Sequence, residues 1–332
     1  MSSGPTPDEI WKDARWLAQA VDPRGGLVRF VEMTPDDYRQ ASFLDDRMFT
    51  RQRPSHLLKW ADVLEAMPPG TRTDTRWIFH IGHVGSTLIA RLLGELQSVL
   101  SVREPRALRD LTFFPADVRA DFVPPVRALM ARTFADDQAA VVKATSFVSE
   151  IAAELIAGGR ALYLYATPLA YISGILAGEN SRKELAGLAD TRRVRLASRG
   201  LDLPEPRNEA EAASSAWACE MTALEAADDG SCLWADFDIV LGDLEGSLRK
   251  FVNHLEFAAT DEQLREIAGG PLTRRYSKAT EYEYTPQLRQ DLLAEARERH
   301  RADIESALAM LSAAAETAPL LQKALDRAQA ES

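Results

Sequence analysis

The chain has 332 residues and is 46% apolar, enough for one large domain or two modest ones around a substantial core. Its 39 Lys and Arg against 50 Asp and Glu leave a net charge of -11, which excludes a broad electrostatic footprint for duplex nucleic acid or an acidic membrane surface and leaves only a local basic pocket. The two cysteines, Cys219 and Cys232, lack CxxC spacing or a histidine pair, and the acidic start MSSGPTPDEIWKDARW lacks the apolar run of a signal peptide, so a zinc scaffold, a disulfide framework and a membrane span are not expected and a cytoplasmic setting fits.

Residues 1–75 mix short helical patterns, Glu9 to Ala20 and His56 to Ala66, with breakers such as Pro23-Arg-Gly-Gly and Pro68-Pro69-Gly70. They read as an extension packed on a main domain of residues 76–332. From Trp77 onward, short apolar runs alternate with longer amphipathic segments, as expected of parallel strands buried under helices on both faces. The strands expected are Trp77 to Ile81, Val99 to Val102, Ala139 to Lys143, Ala161 to Tyr165 and Cys232 to Phe237. Helices are expected over Thr87 to Gln97 and Phe147 to Ile156, which gives a three-layer α/β/α fold with a mainly parallel sheet. Arg182 to Ala212, with thirteen charged residues, reads as a solvated part of a helical insertion around 179–225. Leu244, Leu248, Phe251, Val252 and Leu255 mark another amphipathic helix, and Thr285-Pro286 opens a long C-terminal one.

Gly82-His83-Val84-Gly85-Ser86-Thr87 follows the first buried strand and opens a helix, where backbone N–H groups and the helix dipole can hold a phosphate. The ordinary GxxxxGK[ST] motif is absent, since Ser86 follows Gly85 and His80 takes the place of the first glycine. The same spacing also suits a turn whose glycines only permit tight backbone geometry. Glu104, in Arg103-Glu104-Pro105 just past the second strand, lies at the carboxyl edge where ligands gather in open α/β sheets. It suits a general base, or a surface carboxylate paired with Arg103, Arg106 or Arg109. Asp236 and Asp238 end the fifth strand, where an aspartate would either hold Mg²⁺ or cap the next helix. Arg274, Arg275 and Lys278 cluster in LTRRYSK as phosphate-binding cations or a solvated run. The histidines have no ligand spacing beside them, and no metal site is expected.

In combination these segments resemble the sulfotransferase family, a P-loop NTPase-like fold. Gly85-Ser86-Thr87 after an apolar strand resembles that family's 5′-phosphosulfate loop. VVKATSFVSEIAAELIAGGRALYLYATPLAYISGILAG, residues 141–178, resembles its second block, and CLWADFDIVLGDLEGSLRKFVNHLEF, residues 232–257, its third. The resemblance runs over about residues 76–300. It implies 3′-phosphoadenosine 5′-phosphosulfate (PAPS) as donor and a small-molecule or peptide acceptor. Gly82, His83, Val84, Gly85, Ser86 and Thr87 would hold the 5′-phosphate, Ser173 the 3′-phosphate, and Arg274, Arg275 and Lys278 would assist. Glu104, with His83 near the leaving oxygen, would carry the chemistry. The chain departs from the family at three places: His83 where a loop cation is expected, Tyr165 where an arginine meets the 3′-phosphate, and Thr145 where Lys-x-His has its histidine. Those departures leave two alternatives, an ATP-using kinase with Mg²⁺ and a non-catalytic nucleotide-binding protein.

Overall fold

A computed structural model describes residues 4–50, 53–274 and 285–330. The five expected strands form one parallel sheet. β4 (Arg76–His80), β5 (Val99–Arg103), β6 (Ala139–Lys143), β7 (Arg160–Tyr165) and β8 (Leu233–Asp236) lie in the order β5-β6-β4-β7-β8. Each is a short apolar run, and buried residues fill nearly every position, because a strand covered on both faces has no solvent side to alternate with. The chain steps one way across the sheet from β4 to β5 and the other way from β5 onward, an order for which the general right-handed rule calls for the helix between β4 and β5 on the face opposite the later crossovers. The strand that carries the glycine turn is therefore central, and the sheet's switch point opens beside it.

Residues before β4 bear out the expected helices only in part: the second half of the 56–66 stretch is a helix, Trp60–Glu65, and the rest is different. Pro7–Ile10 is a single turn, and β1 (Trp16–Asp22), β2 (Leu27–Glu32) and β3 (Ser55–Lys59) form an antiparallel sheet in that order. Asp22 pairs with Leu27, so Pro23 to Gly26 are the hairpin turn, with Gly26 at φ +59°. The apolar runs on either side of that turn pair with each other, and cross-strand burial overrides the helix propensity of Leu-Ala-Gln-Ala. This sheet is fixed to the main body. The Val21 N–H donates to Asp110 at 3.1 Å, Trp60 stacks on Phe122 at 4.8 Å, and the buried Arg132 donates to the carbonyls of Ile10, Asp13 and Trp16. Burial without a carboxylate contact lowers the Arg132 guanidinium to about 10.

The C-terminal segment also differs. Thr285 caps its helix as expected, accepting from the Leu288 N–H with Pro286 in the first turn. The helix stops at Arg299, however, because His300 leaves helical geometry at φ -114°, ψ 25°. Two further helices, Arg301–Ala315 and Pro319–Ala330, complete it. The charged stretch 182–212 is less solvated than its composition suggests, since Leu185, Arg192, Leu196 and Glu211 are buried. The following helix, Glu209–Ala227, is packed almost throughout its length. No helix among the described residues is long and apolar enough to cross a membrane.

Candidate functional site

A cleft of about 990 Å³ opens at the carboxyl ends of the parallel strands, floored by the turn after β4. Its two walls come from different sides of the switch point. One follows β5 and β6 and takes in part of the N-terminal extension. The other follows β7 and β8 and is closed by the helix Pro286–Arg299.

The floor is built by positive φ angles: Gly82 at +82°, His83 at +54° and Gly85 at +61°. His80 shapes its start, its Nδ1 accepting from the Gly82 N–H at 2.9 Å. Gly85 has a second reason to be glycine: a Cβ there would lie 2.0 Å from the ring of Phe237. The helix Ser86–Leu93 begins without a side-chain cap, and its first backbone bond inside the turn is from Ile89 to the Gly85 carbonyl at 3.1 Å. Among the described residues, no protein acceptor takes the backbone N–H groups of residues 83–88. The Thr87 hydroxyl is buried and likewise has no partner among the described residues. The first N–H groups of a helix have no intrahelical partner, and here the open run extends back to residue 83, beside a buried hydroxyl that is also orphaned; six successive open amides at a helix N-terminus are suited to an oxyanion.

His83 leans away from the floor toward the helix Glu179–Gly187. Its Nδ1 lies 3.4 Å from Ser181 Oγ and its Nε2 3.6 Å from Glu184 Oε2. The ring thus has a hydroxyl and a carboxylate within reach of its two nitrogens.

Glu104 is held at φ +53° by its N–H, which donates to the Lys143 carbonyl at 2.7 Å. Its Oε1 pairs with the buried ammonium of Lys143 and its Oε2 with Arg47 at 2.8 Å. None of the three arginines weighed as its partner fills that role. Arg103 is buried among the carbonyls of Ala41, Tyr38 and Arg39, Arg106 pairs with Asp46 and Asp110, and Arg109 faces Asp46. Desolvation brings Arg103 down to about 9. Arg47 is in turn bound through two nitrogens by Asp45, at 2.8 and 2.7 Å, and lies 3.4 Å over the ring of Phe43.

The remaining expected residues are scattered. Ser173 is fully buried on the helix Pro168–Ala177, its hydroxyl donating to Leu169 O at 2.6 Å and accepting from Arg297 at 3.3 Å, while its neighbour Gly174 lines the cleft. Tyr165 is core, edge-on to Trp234. Arg274 is exposed at the end of a single helical turn whose Thr273 reaches the cleft; Arg275 and Lys278 lie outside the described residues. Thr145 does line the cleft. Asp236 caps its helix, accepting from the N–H groups of Asp238 and Ile239 at 2.8 and 3.3 Å, and is not part of the cleft wall. Burial raises its carboxyl.

Sequence reasoning passed over Arg47 and Asp45, which come from the extension, and Lys143, whose partner lies 39 residues away. It also passed over Arg289, a buried cation at the cleft bonded to Asp238 at 2.9 Å. A lysine ending the apolar run AAVVK was the one signal available, because a buried strand end tolerates an ammonium only beside a carboxylate.

No protein-family model matches the chain, and no curated protein matches it. Among solved structures it is similar to the sulfotransferase domain from the curacin biosynthetic pathway, at 12% identity over 66% of this chain and 89% of that one, with a TM-score of 0.38. It is also similar to mouse sulfotransferase SULT7A1 complexed with PAP, at 9% identity over 77% of this chain and 89% of that one, again with a TM-score of 0.38.

Proposed function

We propose that the chain is a sulfotransferase-like enzyme that takes a sulfuryl group from PAPS to a hydroxyl or amine, in a cytoplasmic setting. The observation that carries this reading is the set of amides at residues 83–88, without acceptors among the described residues, with the orphaned Thr87 hydroxyl in the lining of the cleft. The sequence resemblance supports the choice of donor.

The fit differs between the two ends of that donor. The floor suits a 5′-phosphate, whose oxygens would accept from the amides, with the Ser86 and Thr87 hydroxyls nearby. The 3′ end finds less, because the Ser173 hydroxyl is committed and Tyr165 replaces a cation. When bound, the donor supplies the activated sulfuryl group; the chain's residues orient it and manage charge and protons. The amides would stabilise negative charge on the departing phosphate oxygen, and His83 would join them on turning from Ser181 and Glu184 toward the floor. Glu104 would accept the proton from the acceptor, and for that Arg47, whose side chain is 53% exposed, has to release Oε2. Lys143 would hold Oε1 and keep the carboxylate aimed during the exchange.

A second reading, phosphoryl transfer from ATP, is favoured by the committed Ser173 and the core position of Tyr165, which remove the demand for a 3′-phosphate. It is disfavoured by Asp236, which serves as a helix cap away from the cleft wall. Thermal unfolding with adenosine 3′,5′-bisphosphate, AMP and Mg²⁺-ATP separates the two. Ligand at a hundred times its dissociation constant adds about 2.7 kcal/mol to the folded state, so binding reads as a raised midpoint. The bisphosphate is expected to raise it most. A rise with Mg²⁺-ATP alone would overturn the sulfuryl reading.

A further inference from the structure

The wall after β5 and β6 carries a clue to the acceptor. Of the six lysines and arginines that line the cleft among the described residues, five have hydrogen-bonded partners. Arg47 and Lys143 share Glu104, Arg106 is bound to Asp46 and Asp110, Arg289 to Asp238, and Arg195 donates to Phe147 O. Arg109 differs. Its guanidinium makes no hydrogen bond to any described residue, and its nearest carboxylate, Asp46, lies 3.8 Å away. Asp46 already receives two bonds from Arg106 at 2.9 and 2.7 Å and lies 3.9 Å from Arg29. Arg29, Arg106 and Arg109 thus have two carboxylates among them, Asp46 and Asp110, both hydrogen-bonded to Arg106; Arg29 also donates to Gln19, which leaves Arg109 as the guanidinium of the three without a hydrogen bond to a described residue.

Four residues on, Phe113 lines the same cleft with 73% of its surface exposed, the most exposed large apolar side chain among the described residues. A guanidinium without a hydrogen bond to a described residue and an open aromatic ring lining the same cleft match a ligand with an apolar body and an anionic group. We propose that the acceptor is such a molecule, its ring or chain against Phe113 and its carboxylate, or an anion of similar shape, on Arg109. This rests on the reading of the wall after β5 and β6 as the acceptor side of a group-transfer cleft. Arg109 is then a specificity-determining residue, remote from the proton transfer at Glu104.

The test uses the full chain and three matched probes: para-hydroxyphenylacetate, its methyl ester and tyramine. Affinities are measured by NMR titration with saturating adenosine 3′,5′-bisphosphate, for the wild type, Arg109→Gln and Arg109→Lys. The carboxylate is expected to bind at least about tenfold tighter than the ester, the gain typical of a charge-assisted hydrogen bond. Tyramine should bind weakest, and Arg109→Gln should bring acid and ester within about threefold of each other. Arg109→Lys should keep part of the preference, which separates charge from packing. Equal affinity for the acid and the ester, binding of none of the three, or a preference that survives Arg109→Gln would each overturn the proposal. If the bisphosphate itself fails to bind, the donor reading falls separately, and the three probes are titrated alone and judged by the same ratios.

Discussion

The floor of the cleft and its acceptor wall treat polar groups in opposite ways. At residues 83–88 the amides and the Thr87 hydroxyl have no protein partners among the described residues, whereas around Glu104 almost every charge is spent on another: Lys143, Glu104, Arg47 and Asp45 form one run of ion pairs, and Arg106 with Asp46 and Asp110 forms a second on the same wall. A set of unspent donors held by a rigid backbone is ready for its ligand and pays little to bind it. A saturated ion-pair network has to exchange partners before it can act. The floor should therefore be sensitive to backbone geometry, and the wall to the loss of a single charge.

The largest effect that would break this comparison is expected at Lys143. Lys143→Met leaves Glu104 buried against half of its former partners, and loss of one member of a buried pair costs about 3–5 kcal/mol. Urea unfolding of the variant measures this, and a change within experimental error would mean that the wall's charges are not interdependent.

On the floor, Gly85→Ala combines a left-handed backbone with a collision against Phe237, and it should cost about 2–5 kcal/mol together with nucleotide binding. Normal stability with normal affinity for adenosine 3′,5′-bisphosphate would show that the turn is not held as described.

Behind the cleft, Glu220 extends the comparison to a carboxylate that is buried but poorly paired. Its nearest cation, Arg192, lies 3.7 Å away, with Arg195, Arg199 and Glu150 around it. Burial raises its carboxyl to about 7. The folded state therefore keeps this proton to higher pH than the unfolded chain does. The stability this contributes is full below the ordinary value of 4.5 and is lost as pH rises through about 7. Glu220→Gln should flatten that fall and exceed the wild type by about 2–3 kcal/mol at pH 8, where unfolding midpoints are compared, with little difference at pH 4.

The smallest and sharpest test is Thr87→Val. Removing an orphaned hydroxyl and burying a methyl should leave stability unchanged or raise it, while the lost donor weakens nucleotide binding by about 1 kcal/mol, read by calorimetry. Lower stability with unchanged affinity would make Thr87 an ordinary core residue.

The parallel sheet was legible in the sequence because each strand is a compact apolar run bounded by turns, and burial on both faces leaves no competing pattern. The first hairpin was not, since WLAQAVD suits a helix until it is paired with LVRFVE across the Pro23–Gly26 turn. The helix break at His300 has no proline or glycine to announce it. In the cleft, the glycine turn declared itself through local spacing. The partners of Glu104 did not, because Lys143 and Arg47 are 39 and 57 residues away and only the fold brings them together. Ser173 shows the converse. On an almost wholly apolar helix, nothing local tells which side a serine will face, and here it bonds the carbonyl one turn back.

The ring of Phe237 occupies the space that a side chain at residue 85 would need. The exit of the last strand and the loop after the first are therefore complementary surfaces, though 152 residues separate them, a difference read directly from their numbers. Grafting this loop onto another scaffold, or shuffling the region around β8 between homologues, would have to carry both halves of the fit. A chimera that imported a bulkier residue at 85 would need a smaller one at 237 to accommodate it.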